Sequence, residues 1–343
     1  TEGGRQLLVR YGPEDELGTV SDLTPAPFNV RTRVHEYGGG AYVVHKGTVY
    51  FSNFADQRLY AQKSGDAPVA LTPEVSPAAG LRYADAVVDE QRQRLICVLE
   101  DHRQSGEAIN AIATVPLAGG SPSVLVSGND FYSSPRLSPD GTQLAWITWN
   151  HPQMPWDGTE LWLAQVNGDG SFSRPRKLVG NEKESVCQPQ WSPRGTLHFI
   201  SDATGWWNLY RWEGERGEPL FPMEAEFSGP QWHFGQSSYG FEDNATILCT
   251  YLEKGIRRLA RLDTLARSMD VLDISYCGIG GLQVGDGFAV FLGASTRRPS
   301  ELVRLDLNTL ALTVLRKSST LHIEPGYLSE PEVISFPTTG GFN

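Results

Sequence analysis

The sequence predicts an all-β fold, a seven-bladed β-propeller of four-stranded blades whose first blade is incomplete. Three observations favour it: short apolar runs that alternate with polar residues, two markers that recur with one period, and turn residues between the runs. Long helical periodicity is scarce in the 343 residues. The stretch RRLARLDTLARS, which begins at Arg257, fits two strands around a turn at Asp263 better than a helix.

The two markers give the repeat length. The first is a small residue or Pro that opens a strand, and it starts near residues 39, 84, 135, 189, 230 and 280, with PQWHFG as its fifth instance. The second is a polar residue before an alternating strand, whose central apolar residues are Leu59, Ile112, Leu161, Leu209, Leu259 and Leu302. Successive steps in both series lie between 41 and 54 residues. A period of roughly 40 to 50 residues is typical of propeller blades.

The order of segments within one repeat also fits a blade. SPDG (138–141) and SPRG (192–195) are turn tetrapeptides after first strands, with Pro and Gly where a tight turn favours them. LAWIT and LHFIS follow as second strands, ELWLAQV and NLYRW as third strands, and RPRKLVG and GEPLFP as outer strands. Six such repeats are complete. Residues 1–34 have the pattern of a third and a fourth strand only, which predicts a partial first blade.

These patterns set the expected domain boundaries. Residues 1–322 are predicted to form the propeller, and residues 323–343, with Pro325, Pro331 and Pro337, a linker. A blade without its first two strands would expose unpaired strand edges, which pair with other chains. We therefore expect a homo-oligomer or poor solubility for this chain.

Composition excludes several classes of partner. The net charge is −11 with a pI near 5.2 and no basic run, which argues against nucleic acid and anionic membranes. No apolar run approaches the ~20 residues that span a bilayer, and the first residues resemble neither a signal nor a transit peptide. Four cysteines, Cys97, Cys187, Cys249 and Cys277, form no CxxC pair. We expect reduced, buried thiols, no metal, no cofactor and a cytoplasmic location.

No catalytic residue is predicted in this chain, because GxSxG, HExxH, P-loop and GxGxxG motifs do not occur. The most suggestive cluster is His35, Glu36 and Tyr37, followed by Gly38, Gly39 and Gly40. Glycine in a strand marks a bulge or a close backbone approach. The cluster either faces the central tunnel or a domain interface, or joins adjacent blades by hydrogen bonds where glycines relieve crowding. We expect it to open the innermost strand of the first complete blade.

Two tryptophan-containing segments are further candidates. NHPQMPWDG (150–158) is an unusually long insertion between two strands, in which Met154 and Trp156 line a pocket or fold back onto their own blade. Trp206 and Trp207 are adjacent at the start of a third strand, where neighbouring side chains point to opposite faces. One of the two is therefore expected to pack between blades and the other to be exposed.

Several long strings resemble one family. VHEYGGGAYVV, VYFSNFADQRLY, MPWDGTELW, PQWSPRGTLHFISDATGWWNLYRW and SEPEVISFPTTGG are similar to the propeller of bacterial prolyl oligopeptidase-family (S9) serine peptidases. Within that family they resemble the acylaminoacyl-peptidase and dipeptidyl-peptidase branch. The resemblance covers essentially the whole chain in order.

The resemblance implies a function for a larger polypeptide. In this family the propeller caps an α/β-hydrolase domain that follows it in sequence and carries the Ser-Asp-His triad. That triad has no matching positions here, so the resemblance implies a non-catalytic domain whose partner is the hydrolase domain of the same polypeptide. The propeller would limit the size of short peptide substrates and line part of their cavity, with His35, Glu36 and Tyr37 as the first lining candidates.

Two alternatives remain open at this point. Nine Trp residues fit a stand-alone propeller that binds proteins or sugars through its rim. A metal-dependent lactonase-type propeller would use inner-strand carboxylates, for which the candidates are Glu36, Asp85 and Asp286. Stabilisation against heat by calcium would favour the lactonase-type alternative.

Overall fold

The regular secondary structure of the described residues is almost entirely β-strand, as predicted. A computed structural model describes residues 3–12, 20–173, 175–321, 323–334, 336–337 and 339. The one helical element among these residues is a short 3₁₀ helix, Pro325–Tyr327. No helix in the described part of the chain is long and apolar enough to cross a membrane.

Six four-stranded antiparallel sheets form the blades, which we number in chain order. Blade 1 comprises β3 (Tyr42–His45), β4 (Thr48–Ser52), β5 (Leu59–Lys63) and β6 (Val69–Ala70). Blade 2 comprises β7 (Leu81–Asp89), β8 (Arg94–Asp101), β9 (Ile109–Pro116) and β10 (Ser123–Ser127). Blade 3 comprises β11 (Phe131–Leu137), β12 (Gln143–Trp149), β13 (Thr159–Gln165) and β14 (Arg176–Asn181).

The remaining three blades follow the same order. Blade 4 comprises β15 (Val186–Trp191), β16 (Leu197–Ser201), β17 (Asn208–Glu213) and β18 (Arg216–Pro219). Blade 5 comprises β19 (Tyr239–Phe241), β20 (Thr246–Glu253), β21 (Ile256–Asp263) and β22 (Ser268–Leu272). Blade 6 comprises β23 (Gly278–Gly285), β24 (Phe288–Ser295), β25 (Arg298–Asp306) and β26 (Leu312–Lys317). In every blade the strands pair in sequence order, which confirms a propeller of four-stranded blades.

The prediction of seven blades was wrong. The described residues hold six four-stranded blades and one two-stranded sheet, which pairs β1 (Val9–Tyr11) with β2 (Val20–Asp22). Both strands lie in the segment assigned to a partial first blade, and residues 13–19 between them fall outside the described residues. A third and a fourth strand can form a hairpin without inner strands, but they do not make a blade.

The turns form as their residues predict. Gly141 donates its backbone N–H to the carbonyl of Ser138 at 2.8 Å and has φ 69°, which a non-glycine residue adopts with difficulty. Asp263 ends β21, and its carboxylate accepts the backbone N–H groups of Leu265 and Ala266 at 2.8 Å. The predicted strand pair around Asp263 is therefore confirmed as β21 and β22.

Bulges in the innermost strands connect neighbouring blades. The registers of β7, β11 and β15 each shift at one point, where Asp85, Ser134 and Gln188 have φ values of 52°, 53° and 50°. The Asp85 carboxylate accepts the Ser134 N–H at 2.8 Å and lies 3.0 Å from the Arg136 guanidinium, which ties blade 2 to blade 3. Asp85 also donates its own N–H to the carbonyl of Gly40 at 2.8 Å. Blade 1 is thereby tied to blade 2.

Within each of the two compact units described below, hydrophobic cores lie between the faces of successive blades. In β8 the side chains of Leu95, Ile96, Cys97 and Val98 are all fully buried, since this strand packs on both faces. Cys97, Cys187 and Cys249 are buried free thiols, as predicted, whereas Cys277 is exposed. Burial raises the pKa of Cys97 and of Cys249 to about 12, so both stay protonated and unreactive at neutral pH.

The chain divides into two compact units. The first contains Thr1–Thr204, Leu209–Pro219 and Gly229–Gln236, and the second contains Gly205–Asn208, Leu220–Ser228 and Ser237–Asn343. The first unit holds blades 1 to 3 and nearly all of blade 4, and the second holds blades 5 and 6. The predicted site residues 35–39, 154 and 156 lie in the first unit.

Candidate functional site

The candidate site lies on loops at one edge of the blades in the first unit. In an antiparallel four-stranded blade, the chain enters the first strand and passes from the second to the third strand at the same edge. His35 to Gly39 precede β3, and Met154 and Trp156 lie in the loop between β12 and β13. The SPDG and SPRG turns, which connect first to second strands, lie at the opposite ends of the strands and are short. Longer loops collect where the predicted residues are, as is usual for binding sites.

The His35–Gly40 stretch is a turn and not the start of a strand, which corrects the expectation. Residues 34–37 form the turn, and β3 begins only at Tyr42. His35 and Glu36 have φ values of 51° and 64°, in the left-handed region that non-glycine residues seldom adopt. Such a backbone cannot continue a strand ladder, so the turn lies beside blade 1.

The glycines are explained by contacts between backbones. A Cβ atom on Gly38 would lie 2.3 Å from the Thr32 carbonyl oxygen, and one on Gly39 would lie 2.3 Å from that of Phe234. Gly39 and Phe234 form a parallel bridge, and the Phe234 N–H donates to the Gly38 carbonyl at 2.9 Å. The glycines therefore let residues 37–40 pack directly against the segment around Phe234, as the prediction of crowding anticipated.

The His35 side chain packs inside this contact. Its ring centroid lies 4.8 Å from that of Phe234, 5.2 Å from that of Phe131 and 5.4 Å from that of Trp149. Burial lowers the pKa of His35 to about 4, because the aromatic surroundings disfavour the charged ring, although Glu100 and Asn110 act in the opposite direction. His35 is therefore a neutral packing residue at physiological pH.

Polar side chains hold the turn from blades 1 and 2. The Glu100 carboxylate accepts the His35 N–H at 3.1 Å, and Gln57 accepts the Arg33 N–H at 2.8 Å. Arg82 lies 3.1 Å from Glu100 and donates to the Arg33 carbonyl at 3.3 Å. Hydrogen bonding to neighbouring blades, one of the two roles considered for the His35–Tyr37 cluster, is therefore found at the His35 backbone.

The Glu36 carboxylate is a separate case, because it is open to solvent. Its side chain is 82% exposed, and its contact with the Arg82 guanidinium, at 3.5 Å, is long for a salt bridge. Glu36 therefore adds little to the stability of the turn and can interact with a ligand.

Three aromatic side chains meet on the outside of this arrangement. Trp232 lies between Tyr37 and Trp156, with ring centroids 5.6 Å from Tyr37 and 4.3 Å from Trp156. Tyr37 is 67% exposed and Trp232 is 50% exposed, whereas Trp156 is partly buried. We call Tyr37, Trp156 and Trp232 the aromatic surface. This surface brings together Tyr37 and Trp156, which were predicted as candidate site residues, and Trp232, which was not.

Trp232 was missed because its segment was assigned to a strand. PQWHFG served as a first-strand marker, but residues 230–233 have no strand, and β19 begins only at Tyr239. The segment runs instead through a loop held by a bond from the Gln236 side chain to the Pro230 carbonyl at 3.2 Å. The available signal was Gly229-Pro230 before Trp232, since this dipeptide favours a loop.

The loop at residues 150–158 is folded back onto its blade, and it still exposes side chains to solvent. Each of the two arrangements considered for this loop, folding back and presenting side chains, is therefore found in part. His151 contacts the Asp130 carboxylate at 3.0 Å, and Ser185 donates its hydroxyl to the Pro155 carbonyl at 2.9 Å. The Met154 carbonyl accepts the Asp157 N–H at 2.9 Å, while the Met154 side chain remains 41% exposed. The loop therefore has a fixed conformation that presents Trp156 to Trp232.

Trp206 and Trp207 lie in the second unit, in the loop between β16 and β17. Both residues were expected at the start of a strand, but β17 begins only at Asn208, so Trp206 and Trp207 belong to the preceding loop. Trp206 is 39% exposed. Trp207 is less exposed, and its backbone N–H donates to Glu226 at 2.9 Å while its carbonyl accepts the Phe227 N–H at 2.7 Å. The expected difference in exposure between the two residues is present.

No metal site stands out among the residues that the structure describes, since no group of three or more His, Cys, Asp or Glu side chains could hold an ion. Asp85 is bound to Arg136 and Ser134, and Asp286 lies in the turn between β23 and β24. The carboxylates considered for a lactonase-type site therefore do not form a ligand set.

Comparison with known proteins identifies the family. No protein-family model and no curated protein matches the chain. Among solved structures, a puromycin-hydrolysing peptidase of Mycobacterium tuberculosis has 36% sequence identity and a TM-score of 0.88, over 96% of this chain and 52% of that one. Puromycin hydrolase has 34% identity and a TM-score of 0.89, over 99% of this chain and 54% of that one. The chain belongs to the prolyl oligopeptidase family.

The match concerns the propeller part of this family. The chain spans about half the length of these two proteins, along nearly all of its own length. Prolyl oligopeptidase B of Galerina marginata has 10% identity and a TM-score of 0.55, over 83% of this chain and 51% of that one, and shows a shared fold alone. The aromatic surface is therefore a feature of a prolyl oligopeptidase-family propeller.

Proposed function

We propose that the chain is the propeller domain of a serine peptidase of the prolyl oligopeptidase family. In this proposal residues 1–322 form the propeller and residues 323–343 link it to an α/β-hydrolase domain of the same polypeptide. The observation that carries it is the similarity over 96% and 99% of this chain to proteins described as a puromycin-hydrolysing peptidase and a puromycin hydrolase, of which the chain spans about half.

The proposed reaction is hydrolysis of an amide bond through a serine ester. The hydroxyl of the hydrolase-domain serine attacks the carbonyl carbon, the amine leaves, and water then releases the acyl group. Short peptides are the proposed substrates, cleaved as aminoacyl, acylaminoacyl or dipeptidyl units near the N-terminus. Puromycin is a candidate because the relatives are described as hydrolysing it. The cytoplasm is the proposed location.

The propeller's share would be to limit substrate size and to line part of the cavity. The aromatic surface supports this role, because Tyr37 and Trp232 are large apolar side chains that remain exposed on an ordered set of loops. The Glu36 carboxylate beside Tyr37 is also free to meet a ligand.

The test uses the whole polypeptide that is encoded in the same reading frame. We expect it to hydrolyse puromycin and dipeptide amides, to lose activity with a fluorophosphonate that labels reactive serines, and to cleave peptides more slowly as their length grows. Replacing the labelled serine by Ala is the matched control. Absence of a labelled serine would refute the peptidase proposal, and cleavage of unfolded proteins as fast as dipeptides would refute size limitation.

A stand-alone binding propeller is the second candidate, and the exposed aromatic surface is the observation that favours it. Aromatic side chains are enriched where proteins bind partners. Reading the coding sequence beyond Asn343 distinguishes the two: a stop codon within a few residues favours the binding propeller, whereas a downstream GxSxG followed by Asp and His favours the peptidase.

A further inference from the structure

The aromatic surface leaves at least half of the area of Tyr37 and of Trp232 exposed. Trp232 is half exposed, yet it lies 4.3 Å from Trp156 at an interplanar angle of 42°, so neither indole stacks fully on the other. Tyr37 meets Trp232 edge-on, at 69°, and is exposed over two thirds of its area. Clustered, half-exposed aromatic residues are typical of sites that bind a ligand.

Each of the three rings comes from a segment that is already held in place. The Tyr37 segment is fixed by the bridge between Gly39 and Phe234, and that bridge also fixes the Trp232 segment. The Trp156 loop is fixed by the bond from Ser185 to the Pro155 carbonyl. A ligand would therefore meet a preformed surface and would lose little affinity to ordering of the loops.

The charges beside the surface are acidic. Glu36 precedes Tyr37 and Asp157 follows Trp156, and both acidic residues are exposed. The cation nearest to Glu36 among the described contacts, Arg82, is only 14% exposed and is engaged by the buried Glu100 at 3.1 Å. Together with the net charge of −11, this arrangement attracts positive groups and repels acidic ones.

We propose that the aromatic surface binds the basic side chain, Lys or Arg, of a peptide. The ammonium or guanidinium group lies over the exposed indole face of Trp232, where the ring quadrupole attracts a cation. The Glu36 carboxylate supplies the opposite charge, and Tyr37 covers the apolar stem of the side chain. The identification of that peptide as a substrate rests on the proposed peptidase function, whereas the binding itself does not.

The test measures binding of blocked tripeptides to this chain by isothermal titration calorimetry. Acetyl-Ala-X-Ala amides with X as Arg, Lys, norleucine, Phe or Glu vary only the central side chain. We expect Arg and Lys peptides to bind about five-fold tighter than the norleucine peptide, and the Glu peptide to bind weakest. Trp232→Ala and Glu36→Gln should each remove that preference.

Matched controls keep the test independent of folding. Tyr42 is 53% exposed outside the aromatic surface, and Glu74 is an 88% exposed acid elsewhere in the first unit, so Tyr42→Ala and Glu74→Gln should leave the preference intact. Circular dichroism checks that each variant is folded. A site that simply prefers apolar groups would bind norleucine or Phe as tightly as Arg, which would overturn the inference.

Two further outcomes would also overturn it. A folded chain that binds none of the acetylated peptides has no such site, and binding of the same tripeptides only when the acetyl group is left off would assign the surface to an α-amine and not to a side chain. Failure here is distinguishable from failure of the proposed function. A whole polypeptide that hydrolyses puromycin without any preference for basic peptides would leave the peptidase proposal standing and refute this inference alone.

Discussion

Acidification should destabilise the first unit through His35 and His198, two histidines whose pKa is lowered by desolvation, and His198 gives the cleaner test. His198 is 3% exposed on β16, and its Nδ1 atom lies 3.0 Å from the Thr196 carbonyl oxygen. Burial lowers the pKa of His198 from 6.5 to about 4, and the nearby Arg211 acts in the same direction. The folded state therefore resists protonation of this ring.

The sign and size follow from proton linkage. Between pH 6.5 and about 4 the unfolded chain binds a proton at His198 that the folded chain does not, so the free energy of unfolding falls as the pH falls. Lowering the pKa from 6.5 to about 4 corresponds to a loss of about 3 kcal/mol of stability, complete near the folded pKa. Above pH 6.5 this contribution no longer changes. His35, whose pKa is also lowered to about 4, adds a loss of the same sign.

Urea unfolding at a series of pH values, followed by tryptophan fluorescence, measures this loss. His198→Gln removes the titrating group, so its free energy of unfolding should fall by about 3 kcal/mol less than that of the wild type over the same interval. Ile147→Val, at a buried side chain of the same unit that does not titrate, is the control and should keep the wild-type pH dependence. Equal pH dependence in wild type and His198→Gln would refute the reasoning.

Two other substitutions test the packing directly, again by urea unfolding. Gly39→Ala places a Cβ atom against the Phe234 carbonyl and should lower the free energy of unfolding by about 3 kcal/mol. The control is Gly47→Ala, whose Cβ would meet nothing within 4 Å and which should lower the free energy of unfolding by about 1 kcal/mol. Equal losses in the two variants would contradict the close approach of Gly39 to Phe234. Asp89→Asn removes the charge of a fully buried carboxylate that lies 3.2 Å from Arg92 and 2.8 Å from Arg94, and it should destabilise by about 3 to 5 kcal/mol because both guanidinium groups, 14% and 12% exposed, lose their countercharge. A loss below 1 kcal/mol there would show that the ion pair is not desolvated.

The strands were predictable because their signals are local. Alternating apolar residues and turn tetrapeptides such as Ser138–Gly141 fix a strand and its turn within a few residues, and the repeat carries this through six blades. The count of seven failed because it needs pairing between distant strands. The hairpin of β1 and β2 has the local sequence pattern of the two outer strands of a blade. That pattern is the same whether or not two inner strands pair with the hairpin, so it could not show that the blade is missing.

The site was predictable only in part, for a similar reason. His35, Glu36 and Tyr37 drew attention through the glycines after them, and Trp156 through an unusually long loop. Trp232 carries no such mark, because its role comes from contact with residues far away in sequence. The inner-strand pattern assigned to its segment was also misleading, since a loop that runs alongside Gly39 by a single bridge has no periodicity to detect.

The left-handed conformation of Glu36 points to a compromise between stability and binding. A non-glycine residue at φ 64° costs of order 1 kcal/mol, and such a conformation persists only where the surroundings enforce it. Glycine would adopt the same backbone without that penalty, so selection for stability alone favours Gly at this position. The carboxylate, which contributes little to stability, is then present for an interaction outside the fold.

Two substitutions at this position separate the effects. Glu36→Gly should raise the free energy of unfolding by up to about 1 kcal/mol and abolish the preference for the Arg peptide over the norleucine peptide. Glu36→Ala removes the same carboxylate but keeps the left-handed backbone, so it should lose the preference without gaining stability. If Glu36→Gly is no more stable than Glu36→Ala in urea, the turn is not strained and the argument for a retained ligand-binding carboxylate loses its basis.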